Sequence, residues 1–291
     1  MKLAVALALV AACGDDGAPN SDASTSMMDG GADGSVDAPE SMGCGVAGSP
    51  TGMADLRITV GGVERRYLRV VPASYDGTRP LALIFAWHGR GGNGMVARQY
   101  FGIEAAAGAD AIVIYPFGLP VTATPTDTGW ELASNGRDVA LFDAIHAEIR
   151  TQYCVGRTYS MGHSFGGYMS NTLACARGGT AADAVRAIAP VAGGGPFGQC
   201  AGSAVSAIVI HGTTDAVVPF TEGENARTQW RTKAGCDATS TPITPSPCVA
   251  DDGCDNGLVV RFCPHTETAN GGHGWPSFVA GAAWQLFRDS P

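Results

Sequence analysis

Apolar and polar residues alternate over 55–60 and again over 64–71, with Gly61-Gly62 between the two runs. Alternation of this kind sends successive side chains to opposite faces of a strand, and a Gly-Gly pair is a tight-turn signal. The stretch therefore predicts an antiparallel pair at a sheet edge. Residues 81–86 and 111–115 are instead continuously apolar, as strands covered on both faces are. Helical spacing follows at 96–107 and at 137–151, where Val139, Phe142, Ile145 and Ile149 share one stripe. Further strands are predicted at 157–161, 186–190, 206–211 and about 257–263, and helices at 168–177, 224–234 and about 277–288. Strands alternating with helices predict an α/β fold, with a mostly parallel sheet, antiparallel N-terminal strands and helices on both faces. No internal repeat or second globular domain is visible, and 291 residues of which 45% are hydrophobic suffice for one large core.

The first 45 residues follow neither period. Met1-Lys2 and the apolar run Leu3 to Ala12 read as a signal peptide over 1–12, too short to remain as a membrane-spanning helix. Val10-Ala11-Ala12-Cys13 resembles a bacterial lipobox, which implies lipidation of Cys13 and anchoring at a membrane. Residues 13–45 are rich in Asp, Gly, Ser and Ala and are expected to be a disordered acidic linker. The expected organisation is thus a signal peptide over 1–12, a lipobox cysteine and linker over 13–45, and a catalytic domain over 46–291. The product would be exported, either extracellular or held at the cell envelope.

Charge sharpens this division. Residues 1–45 carry seven acids against Lys2, leaving 20 acids and 17 bases in the body, so most of the net charge of −9 lies in the linker. The body's arginines are scattered, with no basic stripe to suggest nucleic acid as a partner. Apart from Cys13 there are eight cysteines, and an even number after an export signal predicts up to four disulfides. Proximity alone suggests Cys175–Cys200 and Cys248–Cys254. No paired Cys-x-x-Cys or closely spaced His pair offers a zinc site, and no metal or cofactor is expected.

The chemistry centres on Gly162-His163-Ser164-Phe165-Gly166, which follows a strand and precedes a helix. That context suits a nucleophile elbow, a sharp turn that lifts a serine out of the chain and needs glycine two residues to either side. A serine requires a base, itself oriented by an acid. Asp215 lies just beyond the strand ending at His211, and His273 lies between glycines in Gly272-His273-Gly274 before the last helix. Ser164, Asp215 and His273 therefore stand in the order Ser, acid, His. Asp251, Asp252 and Asp255 compete for the acid and His265 for the base. The oxyanion donors are expected to be the amides of Phe165 and of Arg90, the latter in Trp87-His88-Gly89-Arg90-Gly91-Gly92, with Gly89 or Gly91 as alternatives. Trp275 and Trp130 are candidates to flank an aromatic or sugar ring.

His-Gly-x-Gly-Gly, Gly-His-Ser-x-Gly-Gly, His-Gly-x-x-Asp-x-x-Val-Pro and Gly-Gly-His-x-Trp-Pro together resemble a group of secreted α/β-hydrolases. That group contains feruloyl esterases, acetylxylan esterases and polyhydroxybutyrate-depolymerase-like proteins. The resemblance covers roughly Gly43 to Arg288. It implies an α/β-hydrolase fold and a serine esterase, a monomer acting on a polysaccharide-linked or polyester substrate. It does not fix the acyl group or the alcohol. A serine peptidase of the same fold and an inactive envelope glycan-binding lipoprotein are the alternatives.

Overall fold

The computed structural model describes residues 41–197 and 200–291. The predicted signal peptide, Cys13 and linker residues 13–40 lie outside the described residues. In chain order the strands and helices are β1 (Gly52–Val60), β2 (Val63–Val71), β3 (Leu81–Trp87), α1 (Gly94–Phe101), α2 (Ile103–Ala107), β4 (Ala111–Pro116), β5 (Leu119–Pro120), β6 (Thr128–Gly129), α3 (Arg137–Gln152) and β7 (Val155–His163). There follow α4 (Phe165–Arg177), β8 (Val185–Val191), β9 (Ser206–Gly212), α5 (Phe220–Lys233), β10 (Ser240–Pro242), β11 (Val249–Asp251), β12 (Val260–His265) and α6 (Val279–Asp289).

The main sheet runs β1-β2-β4-β3-β7-β8-β9-β12-β11-β10. From β4 to β12 neighbours are parallel, while β1, β2, β11 and β10 pair antiparallel at the two edges. The central strands β3, β4 and β9 are buried except at half-buried Ala82, which explains their unbroken apolar runs. Alternate residues feed two cores. Leu83, Phe85 and Trp87 of β3 pack with Phe142 of α3, Leu173 of α4 and Trp230 of α5. Ile84 and Ala86 pack on the other face with Phe101 of α1, Ile103 of α2 and Leu286 of α6.

Three features differ from the sequence expectations. The helix expected over 96–107 is two helices, because Gly102 adopts φ 69° between them. The second antiparallel edge, β10–β11, was not predicted; three-residue strands are too short to show a period. The linker ends earlier than residue 45, since Ser41 is buried, its hydroxyl donates to Tyr153 O at 2.6 Å, and Cys44 is bonded to Cys154. The body therefore includes residues 41–45.

All eight cysteines outside the N-terminal segment are paired. Cys175–Cys200 is as expected. Cys248–Cys254 is not formed: Cys248 pairs with Cys263 and Cys254 with Cys236. Folding of β11 back onto β12 brings Cys248 to Cys263, and the turn after β11 returns to the end of α5, where the Asp255 amide donates to Ala234 O at 2.8 Å. Proximity in sequence chose the wrong partner because the strands reverse between them.

Candidate active site

The turn after β7 has the geometry a nucleophile elbow requires. Ser164 sits at φ 55°, ψ −120°, between the last residue of β7 and the first of α4. A Cβ at Gly162 would run into the Gly166 carbonyl, and one at Gly166 into the Trp87 carbonyl. Such contacts leave no alternative to glycine at either position. The turn is braced from below by a buried chain of hydrogen bonds. Trp87 Nε1–H donates to Ser160 Oγ (3.1 Å), Ser160 to Ser170 Oγ (3.0 Å), and Ser170 to Gly166 O (3.1 Å). The Ser164 amide is held by Val191 O at 2.8 Å, so β3, β7, β8 and α4 all fix the corner.

Asp215 and His273 meet although 58 residues separate them: His273 Nδ1–H donates to Asp215 Oδ2 at 2.7 Å. The other carboxylate oxygen accepts the Val217 and Val218 amides at 2.8 and 2.9 Å. Burial pushes the Asp215 carboxyl upward, but the hydrogen bonds from His273 and from the two amides outweigh it and hold the group below its ordinary 3.8. The loops carrying Asp215 and His273 are joined by the Ala216 amide donating to Gly271 O at 3.0 Å. His211 lies behind the acid, with Nε2–H donating to Val218 O at 3.0 Å. Ser164 and His273 line one cavity of about 410 Å³ at the carboxyl ends of the strands. Two of the other candidates lie apart from this arrangement. Asp251 pairs with Arg227 and Arg231, and His265 is buried at the end of β12, outside the lining of that cavity.

The loop after β3 forms one wall of the cavity. Gly91 and Gly92 amides are engaged, with Thr128 O (2.8 Å) and Gly89 O (3.0 Å), which removes Gly91 as an oxyanion donor. The Arg90 amide has no acceptor among the described residues, and Phe165 opens α4, where a first-turn amide has no partner within the helix. The Arg90 guanidinium is a two-pronged partner of Asp127, at 2.7 Å for each bond, and is therefore tied to the β5–β6 hairpin. His88 is neutral: Nε2 accepts the Gly118 amide (2.9 Å), so Nδ1–H donates to Gly89 O (2.7 Å), and burial lowers its pKa to about 4.

Neither tryptophan occupies the place expected of it. Trp130 is only 2% exposed and lies beneath the loop, where its indole N–H donates to His88 O at 2.8 Å. Its ring packs against His88 and Trp87. It supports the wall rather than lining it. Trp275 stacks on Phe101 at 4.1 Å and stands edge-on to Tyr100 and His163. The aromatic side chain that does line the cavity is Tyr100, with Val96 and Val217. Its hydroxyl is 3.1 Å from His163 Nδ1. Tyr100 carries no motif and its placement depends on where α1 docks, so the sequence offered no signal for it.

No family model matches the chain. Three of the curated proteins similar to it are feruloyl esterases. A probable feruloyl esterase C of Aspergillus flavus is 34% identical over 183 residues, 60% of this chain and 63% of that protein. Feruloyl esterase C of Emericella nidulans is 35% identical over 184 residues, 60% and 64% of the two chains. Feruloyl esterase D of Neurospora crassa is 29% identical over 275 residues, 86% of this chain and 90% of that one. The alignments with the first two span less than two thirds of those relatives. Solved structures decide the fold: an acetyl xylan esterase from Aspergillus awamori superposes with a TM-score of 0.56 at 13% identity, covering 74% of this chain and 93% of the other. The chain has the α/β-hydrolase fold. A dienelactone hydrolase from Anabaena variabilis shares it, with a TM-score of 0.52 at 17% identity over 81% of this chain and 94% of that one. The resemblance of this α/β-hydrolase-fold chain to the esterase group, drawn from its four motifs, is matched by similarity to feruloyl esterases over 60–86% of its length.

Proposed function

We propose that the chain is a serine carboxylic ester hydrolase working through an acyl-enzyme on Ser164. The observation that carries this reading is the 2.7 Å Asp215–His273 hydrogen bond, with His273 lining one cavity together with the strained corner at Ser164 and with Arg90, whose amide is unengaged. His273, held by Asp215 with its proton on Nδ1, takes the Ser164 proton on Nε2 as Ser164 Oγ attacks the ester carbonyl. The carbonyl oxygen becomes an anion and is met by the Phe165 and Arg90 amides. As the tetrahedral centre collapses, His273 returns the proton to the departing alcohol. Water then enters, loses a proton to His273 and releases the acid, restoring Ser164.

The names of the relatives favour acyl esters of plant polysaccharide, feruloyl or acetyl, over polyhydroxybutyrate-type esters as substrate. Four disulfides support export to an oxidising compartment. Anchoring through a lipidated Cys13, and action as a monomer, belong to the same proposal.

A fluorophosphonate probe tests the chemistry directly, because it reacts only with an activated serine. One adduct per chain is expected, and mass spectrometry should locate it on the peptide containing Ser164. A chain that hydrolyses methyl ferulate yet labels elsewhere, or not at all, would remove Ser164 from the role.

Trp130→Phe tests the support of the oxyanion wall. It keeps most of the ring contact but deletes the donor to His88 O, and an unpaired buried carbonyl costs about 1–3 kcal/mol. The expected result is a kcat lowered about tenfold on p-nitrophenyl acetate with KM changed less than about twofold, since the loss falls on the transition state. An equal rise in KM would mean that the tryptophan shapes substrate binding instead.

A further inference from the structure

We propose that Tyr168 and Phe197 form a stacking platform for a sugar ring in the alcohol half of the substrate. The two rings lie 5.3 Å apart and 13° from parallel. Phe197 is 60% exposed, which for a single phenylalanine would be unremarkable, but here the ring is held flat against a second aromatic on the helix that Ser164 caps. Tyr168 is one helical turn beyond Ser164, its amide donating to Ser164 O at 3.1 Å. The glycine loop leading from β8 to Phe197 packs against the same carbonyl.

The loop is fixed from inside the protein. Buried Asn171 donates through Nδ2 to Gly194 O (2.8 Å) and accepts the Trp230 indole N–H on Oδ1 (2.8 Å). A ligand would thus meet a preformed surface and would not have to order it.

The edge of the platform is polar. Glu222, in the first turn of α5, lies against Gly194, and Tyr168 feels its charge. Burial first, and then the Glu222 and Asp215 charges, push the Tyr168 phenol up to about 12, so it keeps its proton as a donor. A flat apolar face bordered by a carboxylate and a phenol matches the C–H face and hydroxyl rim of a neutral sugar. The carboxylate disfavours an anionic ligand. The cavity that Ser164 lines has a different character, with Val96, Tyr100 and Val217 along it.

Placing the sugar in the alcohol half rests on the ester hydrolase reading. The test compares two esters with the same acyl group, methyl ferulate and a feruloylated arabinoxylan oligosaccharide. Phe197→Ala is expected to raise KM for the oligosaccharide ester about tenfold, one stacked ring's worth, and to change kcat and the methyl ester's KM less than about twofold. Phe197→Tyr should restore the difference. An oligosaccharide KM that does not rise, or equal changes on both esters, would overturn the platform. If the unaltered protein hydrolyses neither ester, the hydrolase reading fails, and the platform is still decided by titrating an acyl-free arabinoxylan oligosaccharide. Binding that Phe197→Ala weakens about tenfold would support it, and binding that is absent or unaltered by the substitution would overturn it.

Discussion

Ser164→Ala is expected to lower kcat on p-nitrophenyl acetate by about 10⁵-fold or more while leaving the circular dichroism unchanged. The loss is large because the proposed mechanism passes through an acyl-enzyme on Ser164 Oγ, which alanine lacks. The fold is spared because the corner is held by the serine's backbone, through Val191 O and the amides of Gly167 and Tyr168, and alanine keeps those bonds. Asp215→Asn should cost about 10⁴-fold by freeing His273 to take the wrong tautomer. A Ser164→Ala protein that retained even a hundredth of the rate would mean that the corner serine is not the nucleophile.

Acid should destabilise the protein well before its carboxylates titrate. Burial lowers the pKa of His88, His146 and His163 from 6.5 to about 4, and lowers those of His211 and His265 as well. For His163 the neighbouring His273 adds to the effect of burial. A base with a depressed folded pKa binds fewer protons folded than unfolded between the two values. Stability therefore rises with pH through that window, is complete above 6.5, and is lost as pH falls toward 4. One such imidazole contributes up to about 3 kcal/mol. Asp215 acts lower, its contribution present above 3.8 and lost as pH falls through its depressed folded value. The unfolding free energy from urea titrations should fall steadily from pH 7 through 5.5 to 4.5, by several kcal/mol in all. A flat profile between pH 7 and 4.5 would show that these imidazoles are hydrated.

Much of the candidate site was legible because a serine corner constrains the chain locally. Glycines two residues either side of Ser164 announce a corner, and Asp215 and His273 each follow the end of a strand. The buried strands were legible for a similar reason, since two covered faces demand an unbroken apolar run. Contacts created by docking left no trace. Trp130 and Trp275 look alike in sequence as exposed-loop aromatics, yet one props a carbonyl and the other stacks on α1. Tyr100 reaches the cavity only because α1 lies over β3 and β4. The β10–β11 edge escaped because each strand has three residues, and with it went the partners of Cys248 and Cys254.

The strap at residues 41–44 gives the body a direction. It is fastened where β7 begins, by Ser41 against Tyr153 and Val155 and by Cys44 against Cys154. Ser164 stands where β7 ends, nine residues on, which is about 30 Å of extended chain. The strap is thus fastened at one rim of the sheet, and Ser164 stands at the opposite rim. A force applied at residue 41 is borne first by the strands' starting rim, through Cys154 and the backbone around β7's first residue, and not by the corner at Ser164.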